Sequence, residues 1–460
     1  MSKILARSLE WVDERFPLTK TWNEHLAEYY APKNFNFWYY FGSLAMMVLV
    51  LQIVTGIFLT MHYKPDATKA FASVEYIMRD VPWGWMMRYL HAVGASMFFV
   101  VVYLHMFRAL LYGSHRGPRE LLWLIGCVIF VALMAEAFMG YLLPWGDMSY
   151  WGAQVIISLF GAVPYIGEGL AEWIRGDFVV SDATLNRFFA FHVIALPLIL
   201  VGLVFLHLVA LHKVGSNNPD GIEIKKNKDS NGIPKDGIPF HPYYTVKDLV
   251  GVMGFLIIYL GIVFFMPEFF GYFLEKDNFA PADPLQTPPD IVPLWYFTPF
   301  YSILRATTED LMWFVRGLIV LSVIVAFIRC RGLSGRGVAA VVGAGLLIGT
   351  FIFEPKFWGV ILMGLSLVGL FLLPWLDQAP VKSIRYRGWM YKTALTVFVV
   401  SFIILGYMGM HKPSDYSLFL FQNVVWAQIG TITYALFFIL MPLYSVWDKT
   451  KPEPERVNFK

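Results

Sequence analysis

Cysteine is nearly absent from the chain. Its 460 residues include only Cys127 and Cys330, each within or at the end of an apolar stretch, and no CxxC or CxxCH occurs. An iron–sulfur cluster held by the chain itself and covalent c-type haem attachment are therefore excluded, and both thiols read as ordinary buried or interfacial groups. Charge is scarce as well: 15% of residues are charged against 57% hydrophobic, with a mean hydropathy of +0.57. That balance is far from a soluble globular domain. The formal charge of +3 comes with no basic, aromatic-interleaved surface, so nothing suggests a nucleic-acid partner. No cleavable signal peptide is visible either; the start, MSKILARSLEWVDERF, is charged and amphipathic and predicts a surface helix.

What the chain has instead is long apolar runs. About 20 apolar residues cross a bilayer as a helix, and ten candidates occur: 37–61, 84–112, 121–143, 184–211, 246–266, 311–329, 337–353, 357–376, 392–411 and 419–447, of which 337–353 is the shortest. The fold class is an all-α, polytopic transmembrane bundle. Lys and Arg set the orientation. With both termini cytoplasmic, 25 of the 36 basic residues fall on the cytoplasmic side and 11 on the other.

Inside these runs lie two pairs of histidines: His91 and His105 in one, His192 and His207 in another. Ionisable groups within membrane spans are costly and usually mark function. A 14-residue interval advances about 21 Å along a helix and rotates the face by only about 40°; a 15-residue interval rotates it about 60° the other way. Each pair therefore keeps one face and places its members near opposite leaflets. Both helices run in the same direction, so His91 pairs with His192 near the outer surface, and His105 with His207 near the inner. Two stacked imidazole pairs are the arrangement that holds two bis-histidine haems across a membrane. Gly42 and Gly56, and again Gly126 and Gly140, repeat at the same 14-residue interval. Positions without a Cβ let a macrocycle lie against a helix. Arg88, Arg187 and Arg108 stand close to the histidines and suit haem propionates. Pro197 sits between His192 and His207, where a lost helix bond can admit a bulge that absorbs the extra residue.

Several long segments then narrow the family: APKNFNFWYYFGS (31–43), GYLLPWGDMSYWGAQVI (140–156), TLNRFFAFH (184–192), LHKVGSNNPDG (211–221), GIPFHPYYTVKD (237–248) and PPDIVPLWYFTPFYSILR (288–305). With the histidine pattern, these resemble cytochrome b, the core-subunit family of the cytochrome bc complexes (quinol:cytochrome c oxidoreductases), over about residues 8–305 and again 353–447. The loop 222–238 looks bacterial. The resemblance implies two non-covalent b-type haems, quinol and quinone as substrates, and a homodimer in a bacterial inner membrane. It also implies a Rieske-type iron–sulfur protein and a cytochrome c-type subunit as partners. Quinol is then oxidised at an outer site, with one electron going to the iron–sulfur partner and one across the membrane through the haems. Quinone is reduced at an inner site, and a proton gradient results.

By motif match the outer site should use Phe138, Tyr141, Gly152, Ile156, Pro293, Leu294, Trp295, Tyr296 and Tyr301. The stretch 148–160 reads as an amphipathic interfacial helix, and PPDIVPLWY as a proline-stiffened wall. The inner site should use His212, Ser216 and Asp248, with Ser43 and Lys247 nearby; an imidazole opposite a carboxylate can hydrogen-bond both quinone carbonyls and deliver protons.

The chain departs from the family pattern twice. The motif usually reads Pro-Glu-Trp-Tyr, but Leu294 stands where the glutamate belongs, and leucine can neither bind quinol by a hydrogen bond nor take its proton. Glu309, Asp310, Asp290 and Asp147 are the candidate substitutes, Glu309 foremost. Second, 308–352 adds a hairpin of two spans turning at the basic, Gly-rich RCRGLSGRG, read as a lipid-facing or subunit-binding accessory, with Arg316 snorkelling outward. The expected organisation is a surface segment (1–36), a four-helix dihaem bundle (37–213), a cytoplasmic loop (214–245), the fifth helix with the quinol-site loop (246–307), the added hairpin (308–352), a C-terminal three-helix region (353–447) and a cytoplasmic tail (448–460). Two other readings predict different behaviour. A dihaem anchor subunit of a dehydrogenase or hydrogenase would reduce quinone and oxidise none. A transporter with structural histidines would show no visible absorbance.

Overall fold

The computed structural model describes residues 3–23, 28–330 and 332–458. Parts of the amphipathic start, one arginine of the basic turn and the last two residues of the tail lie outside that description. Among the described residues, ten helices are long and apolar enough to cross a membrane: Phe37–Thr60, Gly84–Tyr112, Glu120–Leu142, Asp182–Val214, Phe240–Phe265, Glu309–Arg329, Leu333–Ile352, Pro355–Leu376, Trp389–Gly409 and Asn423–Trp447. We number these spans first to tenth. The chain is a multi-pass membrane protein, and helices are its solution because lipid offers backbone groups no partner.

Local signals set the helix ends. Ser181 opens the fourth span with a capping box, its side chain accepting from the Ala183 N–H while Thr184 Oγ1 accepts from the Ser181 N–H. Gly113 closes the second span at a φ of +70°, where a Cβ would also meet the Lys382 carbonyl oxygen at 2.8 Å. Within the fourth span, Phe191–Ala195 forms a π-helical turn immediately before the helix Leu196–Val214, which carries Pro197 in its first turn. Proline cannot donate a backbone hydrogen bond, and the wider turn takes up one residue. The 15-residue histidine interval is thereby brought towards the phase of the 14-residue one.

The first span packs on the second, and the third on the fourth. One large core joins the second span's remaining face to Leu294, Tyr296 and Phe300 and to the eighth, ninth and tenth spans. A smaller core at one end joins Tyr63 and Ile77 to the surface helices Asp147–Phe160 and Gly167–Arg175. The hairpin of the sixth and seventh spans is seated on the C-terminal region, with Leu311, Met312 and Val315 packed against Trp358, Met408 and Ala427. Arg316 does not snorkel. Its guanidinium donates to Thr350 Oγ1 and to the Thr350 carbonyl, both at 3.1 Å, and lies over the Trp313 and Phe351 rings. It ties the two hairpin helices together, because a charge with partners inside the bundle need not reach water.

The opposite end is stapled by ion pairs between loops. Asp377 is bonded by Arg387 at 2.9 and 2.6 Å and by His115 Nε2 at 3.0 Å, with all three side chains inaccessible. Burial alone would raise the Asp377 carboxyl, but the Arg387 guanidinium, with His115, outweighs it and holds it far below the usual carboxylate range. Glu223 joins Arg119 and Lys382, and Asp236 joins Lys33 and Arg456. A two-stranded antiparallel ribbon, Tyr30–Pro32 with Gly237–Pro239, fixes the N-terminal segment beside the fifth span.

Candidate functional site

The structure brings the four histidines together in the two expected pairs. The rings of His91 and His192 have centroids 6.1 Å apart, those of His105 and His207 6.5 Å apart. A metal–imidazole bond is about 2 Å; two such bonds with the ring atoms behind them require a separation of about 6.3 Å, between the two observed values. Among the described residues no cluster of three or more metal-ligating side chains occurs. Two ligands per site suit a metal whose equatorial positions are filled by a macrocycle.

The glycines match the histidines one to one. A Cβ on Gly56 would lie 3.2 Å from His91 Cε1, on Gly42 3.3 Å from His105 Cε1, on Gly126 3.3 Å from His207 Cε1, and on Gly140 2.3 Å from His192 Cε1. The clearing they make is first of all for the imidazole rings: the neighbouring span lies tight behind three of them, and behind His192 it comes so close that only hydrogen fits. His91 Nδ1 is 2.9 Å from Thr55 Oγ1. His192 Nδ1 has two acceptors on one residue, the Glu136 carbonyl at 2.9 Å and Glu136 Oε1 at 3.1 Å. Holding Nδ1 in this way leaves Nε2 as the ligating atom.

A cavity of about 490 Å³ surrounds the His91/His192 pair, a size typical of sites for organic ligands. Gly56, Gly140, Arg88 and Glu136 line it, and so do Tyr141, Phe273, Leu294 and Tyr296. The haem-type site and the predicted outer quinol site thus share one continuous space. Arg187 is not in that lining; its guanidinium donates to the Trp173 carbonyl on the surface, so of the two arginines preceding this histidine pair Arg88 is the one that faces the cavity. At the other pair, Arg108 lies over the Tyr39 ring at 4.9 Å and donates to Ser114 Oγ, while its Nε is buried without a partner. An orphaned buried donor is an opening for an anionic group.

Around the cavity mouth, Tyr296 stacks on Phe99 at 3.9 Å and Trp295 Nε1 donates to Ser96 Oγ at 3.1 Å. Tyr301 donates to the Ile291 carbonyl. Phe138 packs edge-on against Phe188, Gly152 is next to Tyr141, and Ile156 and Pro293 are half-buried. The expected proton acceptors do not reach this space. Glu309 and Asp310 are exposed in the first turn of the sixth span, where acids favour the helix end. Asp290 pairs with Lys412 at the surface, and Asp147 Oδ1 accepts from the Asp283 N–H. Two other acids are close: Glu136, which lines the cavity and accepts from His192, and Glu275, whose Oε2 accepts from Tyr141 Oη at 3.0 Å. Burial pushes the Glu275 carboxyl up to about 7; the Tyr141 bond opposes that and Asp277 adds to it. No periodicity marked Glu275, because it sits in an irregular loop. Glu136, by contrast, was findable as a lone carboxylate inside an apolar run.

At the other end, the predicted residues form two groups. Ser43 Oγ donates to Asp248 Oδ2 at 2.6 Å, with Lys247 Nζ on the Phe35 carbonyl. His212 packs against the Tyr29 ring at 4.7 Å, and Tyr29 Oη is 3.1 Å from Ser216 Oγ. Tyr29 is the member that sequence reasoning missed; the ribbon at 30–32 carries it there.

The chain is similar to known proteins over nearly its whole length. The family model Cytochrome b/b6/petB matches residues 26–215, and Cytochrome b(C-terminal)/b6/petD matches residues 281–435. Cytochrome b of Allochromatium vinosum is 56% identical over 462 residues, covering 100% of both chains. A Bradyrhizobium diazoefficiens chain named Cytochrome b/c1 is 39% identical over 98% of this chain and 56% of its own length. A solved structure, Hyperthermophilic respiratory Complex III, superposes with a TM-score of 0.78 at 34% identity, covering 95% of this chain and 98% of the other.

Proposed function

Because the chain belongs to the cytochrome b family, the core subunits of quinol:cytochrome c oxidoreductases, we propose that His91 with His192, and His105 with His207, each hold one non-covalent b-type haem. The observation that carries this is the pair of facing imidazoles at 6.1 and 6.5 Å, each ring backed by its own glycine. Bound there, the haems supply reversible one-electron chemistry at two depths of the membrane. The chain's own residues do the rest. Thr55 and Glu136 fix the ligand tautomers, and Arg88 and Arg108 offset propionate charge. Leu294, Tyr296 and Phe273 keep water from the reacting end of the cavity.

The quinol-oxidation site is this cavity, at the outer end. The quinone-reduction site is the Ser43–Asp248 and Tyr29–His212–Ser216 pair of groups at the inner end, where the carboxylate and imidazole hold and protonate the substrate. The distribution of Lys and Arg supports both termini facing the cytoplasm of a bacterial inner membrane. The partners are a Rieske-type iron–sulfur protein, a second copy of the chain and a cytochrome c-type subunit; the printed name of the b/c1 relative supports the last.

The test is quinol-driven cytochrome c reduction by the purified complex, with haem b spectra followed while each quinone site is blocked in turn. Turnover, with extra haem b reduction when only the inner site is blocked, is the expected result. Two b haems with no quinol oxidation would overturn the outer-site reading and favour a dihaem anchor subunit.

A further inference from the structure

Quinol oxidation releases two protons, and Leu294 takes neither. Of the carboxyls at the cavity beside the His91/His192 pair, Glu136 is already engaged by His192 Nδ1, whereas a second is reached through a hydroxyl. Tyr141 lines the cavity, and its hydroxyl donates to Glu275 Oε2 at 3.0 Å. The residues on either side of Glu275 in the chain, Leu274 and Asn278, also line the cavity, whereas Lys276 and Asp277 are exposed. Glu275 therefore stands at the threshold between the apolar interior and water. The loop around it is held rigidly: Asn278 Oδ1 accepts from the Ser149 N–H at 3.0 Å, and Phe273 stacks near Trp295.

We propose that Glu275 is the proton acceptor of the quinol-oxidation site, reached through the Tyr141 hydroxyl. The inference rests on the outer-site reading given above and deepens it.

In the step, a quinol O–H bond breaks and its proton passes to Tyr141 Oη as that hydroxyl gives its own proton to the Glu275 carboxylate. The bonding electrons stay on the quinol oxygen. As quinol becomes quinone, two single electrons leave to one-electron acceptors, an iron–sulfur partner protein and the b-type haem system. The second proton leaves on the partner's side, and Glu275 releases the first to water past Asp277. Titratable groups facing the Glu275 carboxyl are Tyr141 of the third span, Tyr296 of the wall loop and Asp277 of its own loop. None is a cation, and a buried carboxyl among such neighbours takes up a proton near neutrality. A general base matched to the working pH contributes about a hundredfold or more.

The experiment uses the purified complex and the short-chain quinol that the wild type turns over fastest, from pH 5.5 to 9. E275Q is expected to lower kcat at least tenfold, with KM little changed, and E275D to keep most of the rate. Wild-type rate should fall as pH drops through about 7, where the carboxylate is protonated, and E275Q should lose that limb. L294E placed in the E275Q protein should restore turnover. In every variant, haem b reduction through the inner site with the outer site blocked should match wild type, which shows the fold intact. An E275Q complex with wild-type rate and pH profile overturns the assignment of Glu275 alone. So does a slow E275Q complex that keeps the wild-type acid limb, because the loss is then structural. A wild-type complex that holds both haems and oxidises no quinol overturns the outer-site reading, and this inference with it.

Discussion

Adding one methyl group at Gly140 should cost the protein one haem and spare the other. The Cβ of an alanine there would lie 2.3 Å from His192 Cε1, 2.8 Å from Nδ1 and 2.9 Å from Nε2. Ordinary carbon contacts begin at about 3.5 Å, so the ring would have to retreat by roughly an ångström. It is not free to do so, since Nδ1 is held by both the carbonyl and the carboxylate of Glu136. Overpacking of this kind costs about 1–3 kcal/mol, and each 1.4 kcal/mol is about tenfold in an equilibrium. G140A should thus weaken haem retention at the His91/His192 site by about ten- to a hundredfold. At Gly42 and Gly126 the same methyl would sit 3.3 Å from its imidazole; the ring gives by a few tenths of an ångström, and both haems should stay. The assay is haem b per complex, with reduced-minus-oxidised spectra resolving the two centres. A G140A complex with two spectrally unaltered haems would refute the reasoning, as would G126A proving the more damaging.

Glu309 is exposed in the first turn of its helix, so E309Q should leave quinol oxidation unchanged at every pH; a tenfold loss of rate would return it to the proton path. D377N removes one partner of a buried pair, a change that costs about 3–5 kcal/mol, and the complex should inactivate faster on heating in detergent. The carboxyl of Asp377 is held low in the folded protein, so its contribution is complete above the unfolded value of about 3.9 and is lost as pH falls towards the folded value. Wild-type and D377N stabilities should therefore converge in acid, and a constant gap across pH would contradict the ion-pair account. R316L breaks two hydrogen bonds from a charged group, each worth about 1.5–3 kcal/mol; it should loosen the hairpin and lower thermal stability while quinol turnover holds, and unchanged stability would speak against Arg316 as the tie between those helices.

Legibility in the sequence followed physical necessity. The proposed haem ligands ride on spans, where backbone exposed to lipid must be helical, and a helix converts interval into direction. His91, His105, His192 and His207 could therefore be paired from spacing alone, the four glycines with them, and Pro197 even marked the π-turn that corrects the longer interval. Long side chains were less legible. Arg187 and Arg316 were placed by their depth in the chain, but partners supplied by packing, Trp173 and Thr350, decide where their guanidinium groups go. Proton chemistry was the least legible, for a reason built into proton transfer itself. A proton must end in water, so its acceptor belongs on the loops at the membrane surface, where no period orders the residues. Glu275 meets Tyr141 across 134 positions of sequence, and only the fold of the loop beside the surface helix Asp147–Phe160 brings them together. Electron carriers in such a protein can be read from intervals along spans, whereas proton carriers have to be found by asking which loop carboxyl a cavity-lining side chain is bonded to.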